Sequence, residues 1–215
     1  MKTIFKIITA TLFLPFFFSC SSNDDDEKEI ITNIDATKYI IAGKLLDNHL
    51  TLISFSSDNQ ASIKNIDQEL SATYTVSGDT IKIANYGFVK IQNNSIVHSE
   101  IDLMEFDDAQ LLQEATQNVF KDKDFSGTIV NTQFQIPFFV RFSDSGNLHG
   151  AGETFEQANP YLEYDIIGNI AGIYLNEGFS HIFYYQNNKL VYEAKAIIGV
   201  EGTHYLYSEG LELQP

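Results

Sequence analysis

The chain has 215 residues and a formal net charge of −16, from 29 acidic and 13 basic side chains. Such acidity repels phosphate backbones and anionic headgroups, so it argues against nucleic acid as a partner and favours a basic protein or cations. A single cysteine excludes an intramolecular disulfide. The folded part must therefore be stabilised by its hydrophobic core.

The first twenty residues have the composition of an export signal. Lys2 and Lys6 precede an apolar run that ends at Ser19 and Cys20, and this run is shorter than the roughly 20 residues of a membrane span. The four residues ending at Cys20 resemble the lipobox of bacterial lipoproteins. The resemblance implies cleavage before this cysteine and lipidation of its thiol. We predict a signal peptide over residues 1–19 and a membrane anchor, such as palmitate chains, on Cys20.

An acidic run follows the predicted lipidation site. It contains Asp24, Asp25, Asp26 and Glu27, and its polar composition predicts a disordered leash over residues 20–37. The run resembles the export signal of Bacteroidota-type surface lipoproteins, which implies that the protein faces outward from the outer membrane. The alternative is that the run is only a solvated spacer, in which case the protein faces the periplasm.

Similar phrases recur about ninety residues apart, which predicts an internal repeat. Three landmarks match in the same order: residues 41–58 with 125–144, 74–79 with 164–169, and 93–97 with 187–191. Glycine and asparagine turns also recur by chance in β proteins, so chance similarity stays the alternative to duplication.

Within each half the apolar residues alternate with polar ones, which is typical of strands with one buried face. Phe134, Phe138 and Phe142 follow this period, and Pro137, which lacks a backbone N–H, is expected at a sheet edge or bulge. Hairpin turns are predicted at residues 78–79, 93–94, 145–146 and 187–188. We predict an all-β fold of two related antiparallel meanders, of barrel or sandwich type, over residues 38–106 and 122–215.

Residues 107–121 break the two-residue period. Asp107 and Asp108 can cap a helix, and Leu111, Leu112 and Ala115 recur at helical spacing, so we predict a short connector helix between the halves. Strand-turn-strand phrases such as residues 74–81 resemble those of small lipocalin-like domains in secreted lipoproteins. That resemblance implies a β-barrel.

Residues 122–133 have a pattern similar to an EF-hand loop, which predicts a calcium site as the alternative to an acidic linker. The oxygen ligands would come from Asp122, Asp124, Ser126 and Thr128. Gln133 stands where such loops carry a bidentate glutamate, and the repeat makes this segment the start of a strand. No other cofactor is predicted.

Eight of the eleven tyrosines lie in the second half. Tyr161 and Tyr185 are expected to face outward and to contribute to a ligand surface, whereas strand packing is the alternative role for the set. Asp79, Thr80 and Ile81 resemble an O-glycosylation site of exported bacterial proteins. That resemblance implies a sugar on Thr80.

The chain contains no nucleophile elbow or glycine-rich phosphate loop. Its five histidines do not stand at metal-binding spacing, and most of them are expected on the surface or on strand faces. An enzyme therefore ranks last. We predict an outer-membrane-anchored lipoprotein that acts as a non-catalytic binding module for an unknown ligand. The alternatives are a lipocalin-like carrier of a small apolar ligand and an acidic immunity-type protein against a basic toxin.

Overall fold

Two antiparallel β-sheets, one in each half of the chain, dominate the fold. The computed structural model describes residues 33–44, 48–101, 109–131, 134–198 and 202–215, and these contain seventeen strands. The first sheet is formed by β1 (Tyr39–Lys44), β2 (Leu50–Phe55), β3 (Gln60–Asn65), β4 (Glu69–Ser77), β5 (Thr80–Ile83), β6 (Gly87–Gln92), β7 (Ser95–Ile101) and β8 (Gln110–Gln113). Before β1 lies a 3₁₀ turn, Ala36–Lys38, capped by the side chain of Asp35. The predicted disordered leash is therefore wrong for residues 33–37, because Ala36 is buried in the first core and the N–H of Ile34 binds the carbonyl of Gly78 at 3.0 Å.

The second sheet contains the remaining nine strands. They are β9 (Asp124–Val130), β10 (Gln135–Phe142), β11 (Leu148–Gly152), β12 (Leu162–Glu163), β13 (Asp165–Ile167), β14 (Ala171–Tyr174), β15 (Phe179–Gln186), β16 (Lys189–Ile198) and β17 (Gly202–Leu213). No helix in the described ranges has the length and apolarity needed to cross a membrane.

Each sheet is nearly closed into a barrel, and both follow the same strand order. The last strand of each half pairs with the first, β8 with β1 and β17 with β9. The edges of the first sheet, β7 and β8, contact each other. The edges of the second sheet are β12 and β13, and only Tyr164 separates them in sequence. Since β12 pairs with β11 and β13 pairs with β14, the two short strands together correspond to β4 of the first half, which pairs with β3 and β5. The predicted all-β fold of two related barrel-type halves is confirmed.

The matched landmarks of the repeat have matching roles. Tyr74 and Tyr164 are both buried, and each donates its hydroxyl to a backbone carbonyl in the turn after the second strand of its half. The acceptors are Ser56 at 2.8 Å and Gly146 at 2.5 Å. Each tyrosine therefore stabilises the equivalent turn of its own half by linking it to the core of that barrel.

The predicted turns are also confirmed. Asn93 and Asn94 have φ angles of 51° and 57°, and their counterparts Asn187 and Asn188 have 52° and 63°. Two successive residues in the left-handed region are typical of the type I′ turn, whose twist suits a two-residue hairpin.

The predicted connector helix is wrong over its described part. Residues 110–113 form strand β8, the described residues after it form no helix, and residues 107 and 108 lie outside the described ranges. Backbone pairing with β1 decides the conformation, because it places Leu112 opposite Ile40 in the core between the halves. The first half therefore extends to Gln113 instead of ending at residue 106.

The described residues form three hydrophobic cores: one inside each barrel and one between them. Along β2, Ile53 faces the first barrel interior, whereas Leu52 faces the second half. Along β15, Phe183 faces the second interior and Ile182 packs toward the first half. Strands at the junction are thus buried on both faces, and each fully buried aliphatic side chain contributes roughly 1.5–3 kcal/mol.

The alternation predicted for β10 is confirmed where the strand crosses the core. Phe138, Val140 and Phe142 are buried in the second barrel. Pro137 lies on the part of β10 beyond the end of β11, which pairs only with residues 139–142. The missing N–H of this proline therefore faces a free edge, as expected.

Gly172 on β14 lies against the rings of the second core. An added Cβ would be 2.6 Å from ring atoms of Phe183 and Tyr164. We expect Gly172→Ala to lower the free energy of unfolding by about 1–3 kcal/mol, because the rings must shift. Gly178→Ala is the matched control, since no heavy atom lies within 4 Å of a Cβ there. Thermal unfolding followed by circular dichroism measures both, and equal melting temperatures would contradict the close packing.

Candidate functional site

Five polar side chains meet where the two halves join, and we call this group the junction latch. Its members are His49, Asp67, Glu193, Lys195 and Tyr205. His49 and Asp67 belong to the first half, in the segments just before β2 and just after β3. The other three lie on the outer face of β16 and β17, where Lys195 and Tyr205 are direct cross-strand partners.

Glu193 is the most buried charged side chain of the latch, with 3% of its surface exposed. One carboxylate oxygen lies 2.6 Å from Nδ1 of His49, and the other accepts the backbone N–H of Leu50 at 2.6 Å. Both oxygens are therefore engaged with the first half. A buried carboxylate needs such donors, because burying an unpaired charge is costly.

Asp67 is the centre of the latch on the first half. Its Oδ1 accepts from Nζ of Lys195 at 2.6 Å, and its Oδ2 accepts the hydroxyl of Tyr205 at 2.8 Å and lies 3.4 Å from Nε2 of His49. Burial, the largest single effect, acts to raise the pKa of Asp67, but the hydrogen bonds from Lys195 and Tyr205 outweigh it, and the pKa lies below its ordinary value. The carboxylate is therefore ionised at neutral pH.

Tyr205 remains a hydrogen-bond donor at neutral pH. Burial, then the hydrogen bond to Asp67, raises its pKa to about 12. The ring of Tyr205 also packs against the ring of His49, with centroids 4.5 Å apart. All four carboxylate oxygens of the latch thus have a donor. This arrangement holds two surfaces together, and its carboxylates are engaged by donors from the protein itself.

A groove lies beside the latch, and we call it the junction groove. It consists of two adjoining depressions of about 570 and 360 Å³, which share Leu175. Its charged lining residues are Lys64, Asp67, Glu69, Glu163, Asp165, Glu177 and Lys195. Leu175 is 45% exposed, so it presents apolar surface within this charged groove.

The charges of the groove are unequally paired. Lys64 binds Glu69 at 2.9 Å, and Lys195 binds Asp67 within the latch. Glu163, Asp165 and Glu177, on the wall from the second half, form no ion pair with any described residue. This wall is therefore an acidic surface next to an exposed apolar side chain.

A second polar group lies inside the second barrel. Nε2 of His149 on β11 is 2.6 Å from Nδ1 of His181 on β15, and both side chains are fully buried. Burial lowers the pKa of His149 to about 4, and burial together with the neighbouring imidazole lowers the pKa of His181 well below its ordinary value. Both rings are neutral at pH 7. Both histidines lie on strand faces, but these are the faces that β11 and β15 turn into the barrel, so the side chains are buried.

The predicted tyrosine surface is only partly formed. Tyr161 is 65% exposed, as expected. Tyr185 is partly buried instead, since its ring packs against Phe125 and beneath Nζ of Lys123. The expectation that Tyr185 faces outward is therefore wrong. Thr80 lies at the start of β5, half-buried, with its hydroxyl 3.0 Å from Oδ1 of Asp79.

The predicted calcium loop is not formed. Asp124, Ser126 and Thr128 lie on strand β9, where alternate residues follow one another along one face about 7 Å apart. Their oxygens cannot converge at the roughly 2.4 Å distances that calcium requires. Asp124 instead accepts from Arg141 at 3.0 Å, and Asp122 lies in the preceding turn with φ of 53°. Pairing of β9 with both β10 and β17 explains why the segment is extended.

Cys20 and the acidic residues 24–27 lie outside the described residues. Comparisons with protein-family models, with curated proteins and with solved structures found no match for this chain. Function is therefore inferred from the sequence and from the geometry of the latch, the groove and the two barrel interiors.

Proposed function

We propose that this protein is a non-catalytic binding module that is tethered to the outer membrane by a lipidated Cys20 and binds its ligand on its outer surface. The observation that carries the proposal is the junction groove, an acidic depression with an exposed leucine between two barrels that the latch joins. Ligand sites are typically concave and combine apolar side chains with a few polar groups that fix the orientation of the ligand.

The chemistry of the latch supports binding over catalysis. A general acid or base needs a proton that it can exchange with a substrate, and a nucleophile needs an adjacent free base. Asp67 and Glu193 are instead engaged by donors from the protein itself, and Lys195 is paired with Asp67. The cluster therefore stabilises the junction.

The barrel interiors favour an external ligand over a carried one. The first is filled by aliphatic side chains such as Ile41, Ile53 and Ile63, which are fully buried. The second is filled by stacked and edge-to-face rings, including Phe120, Phe142 and Phe183. A lipocalin-like carrier requires an open interior instead.

The membrane tether is tested by Cys20→Ser. We expect the variant to lose incorporation of an alkyne-labelled palmitate and to move from the membrane to the soluble fraction, because the acyl chains supply the anchoring free energy. Labelling and cell fractionation measure both effects. The companion variant replaces the acidic run, Asp24, Asp25, Asp26 and Glu27, by alanine. We expect it to retain the palmitate label but to become protected from protease added to intact cells, because it no longer reaches the cell surface.

Each outcome of that experiment has one meaning. An unlabelled native chain would overturn the lipid anchor. If the native chain and the acidic-run variant are both protected from protease, the protein lies on the periplasmic face. That result would overturn the surface position and leave the lipid anchor unaffected.

A further inference from the structure

We infer that the junction groove binds a cationic, extended segment of a partner protein, in which basic side chains alternate with apolar ones. This inference rests on the proposed function, because it names the partner of the same surface. Three properties of the groove support it: its position between the halves, its uncompensated carboxylates and its exposed leucine.

The groove has two walls that belong to different barrels. Its first wall is the turn between β3 and β4, including Ile66 and Asp67, and its second wall is the loop from β14 to β15 with the ends of β12 and β13. The latch fixes these walls relative to each other through Asp67 and Lys195. A preformed groove costs little ordering entropy when a ligand binds.

Charge complementarity selects a cation. The two lysines of the groove are already neutralised by Glu69 and Asp67. Glu163, Asp165 and Glu177 are left to attract a positive ligand, and the net charge of the whole chain adds long-range attraction. Since these carboxylates are near the surface, the attraction must weaken as salt increases.

The arrangement of the carboxylates selects a chain over a single ion. Among the described residues no group of three or more His, Cys, Asp or Glu side chains is placed to hold a metal ion. The three carboxylates are instead distributed along the groove, in both depressions, with Leu175 between them. Successive basic side chains of an extended segment can pair with them in turn, while an apolar side chain covers Leu175.

A peptide titration tests the inference. The probe is a fluorescein-labelled ten-residue peptide of alternating lysine and leucine, titrated with the mature chain carrying Cys20→Ser and followed by fluorescence anisotropy. We expect saturable binding that weakens at least tenfold in the triple variant Glu163→Gln, Asp165→Asn, Glu177→Gln. Leu175→Ser should weaken it at least threefold, and an alternating lysine and serine peptide should bind correspondingly less well.

The matched control removes the same charge elsewhere. Asp144, Glu153 and Glu156 are exposed and lie outside the groove, so Asp144→Asn, Glu153→Gln, Glu156→Gln should change the affinity less than twofold. Equal weakening in the two triple variants would overturn the inference, because binding would then follow net charge alone.

A parallel titration with a dansyl-labelled fatty acid separates the inference from the proposed function. If neither the peptide nor the fatty acid binds, the inference of a cationic partner is overturned, and the proposed binding module remains. Saturable fatty-acid binding that is unaffected by the groove variants, without peptide binding, would overturn both and favour a carrier.

Discussion

Acidification from pH 7.5 to pH 5 is expected to lower the free energy of unfolding by about 2 kcal/mol through His149 alone, with His181 adding a further loss of the same sign. The two imidazoles are buried among rings of the second core. Their neighbours are Phe142, Tyr164, Tyr174, Phe179, Phe183 and Tyr192. A protonated imidazole has no carboxylate partner in that set.

The sign follows from the direction of the pKa shifts. In the folded chain the pKa of His149 is about 4 and that of His181 is also depressed, whereas an unfolded histidine titrates near 6.5. Below pH 6.5 the unfolded chain therefore binds protons that the folded chain excludes. The stabilising contribution is fully present above pH 6.5 and is lost as the pH falls toward the folded pKa values.

Urea unfolding at half-unit steps from pH 7.5 to pH 5 measures this loss. The chain has no tryptophan, so tyrosine fluorescence or circular dichroism is the signal. The double variant His149→Leu, His181→Leu removes both titrating imidazoles. Its free energy of unfolding should depend much less on pH over this range, whether the variant is more or less stable than the native chain. His98→Gln, which changes an exposed histidine, should retain it. A native chain whose stability is constant over this range would contradict the buried neutral pair.

Features encoded by neighbouring residues were predictable from the sequence. The alternation of Phe138, Val140 and Phe142 predicts a strand, and Asn93 with Asn94 predicts a tight hairpin, because each signal is contained in a few residues. These signals were sufficient for the two β halves and for most of their turns.

Features that depend on distant strands were not predictable. The spacing of Leu111 and Leu112 fits a helix as well as a strand, and only pairing with β1 selects the strand. Glu193 alternates with apolar neighbours as a solvent-facing residue does, yet it is buried by a surface that His49 contributes from 144 residues earlier in the chain. No local pattern encodes a contact between the outer faces of two barrels, so the junction latch and groove were missed.

Removal of the buried carboxylate of the latch is expected to destabilise the fold more than any other single substitution at the junction. Glu193→Ala leaves the backbone N–H of Leu50 and Nδ1 of His49 without their acceptor. Each buried donor that is left without an acceptor costs about 1–3 kcal/mol, because it stays desolvated. Glu193→Gln keeps the shape and one acceptor, so its loss should be smaller. Glu156→Ala, on an exposed loop, should change stability by less than about 0.5 kcal/mol.

The shape of the urea transition tests what the latch does, beyond how much it contributes. The barrels have separate interiors but share the third core, in which Leu52 and Ile182 lie near the latch, so the native chain is expected to unfold in one cooperative step. If the latch couples the halves, Glu193→Ala should broaden the unfolding transition or split it into two transitions. In the second case, the tyrosine signal of one half should change before that of the other. A variant that unfolds in one step at the midpoint of Glu156→Ala would mean that the apolar junction alone holds the barrels together. The groove walls would then keep their separation without the latch, and its preformed geometry would depend on Leu52, Ile182 and their neighbours.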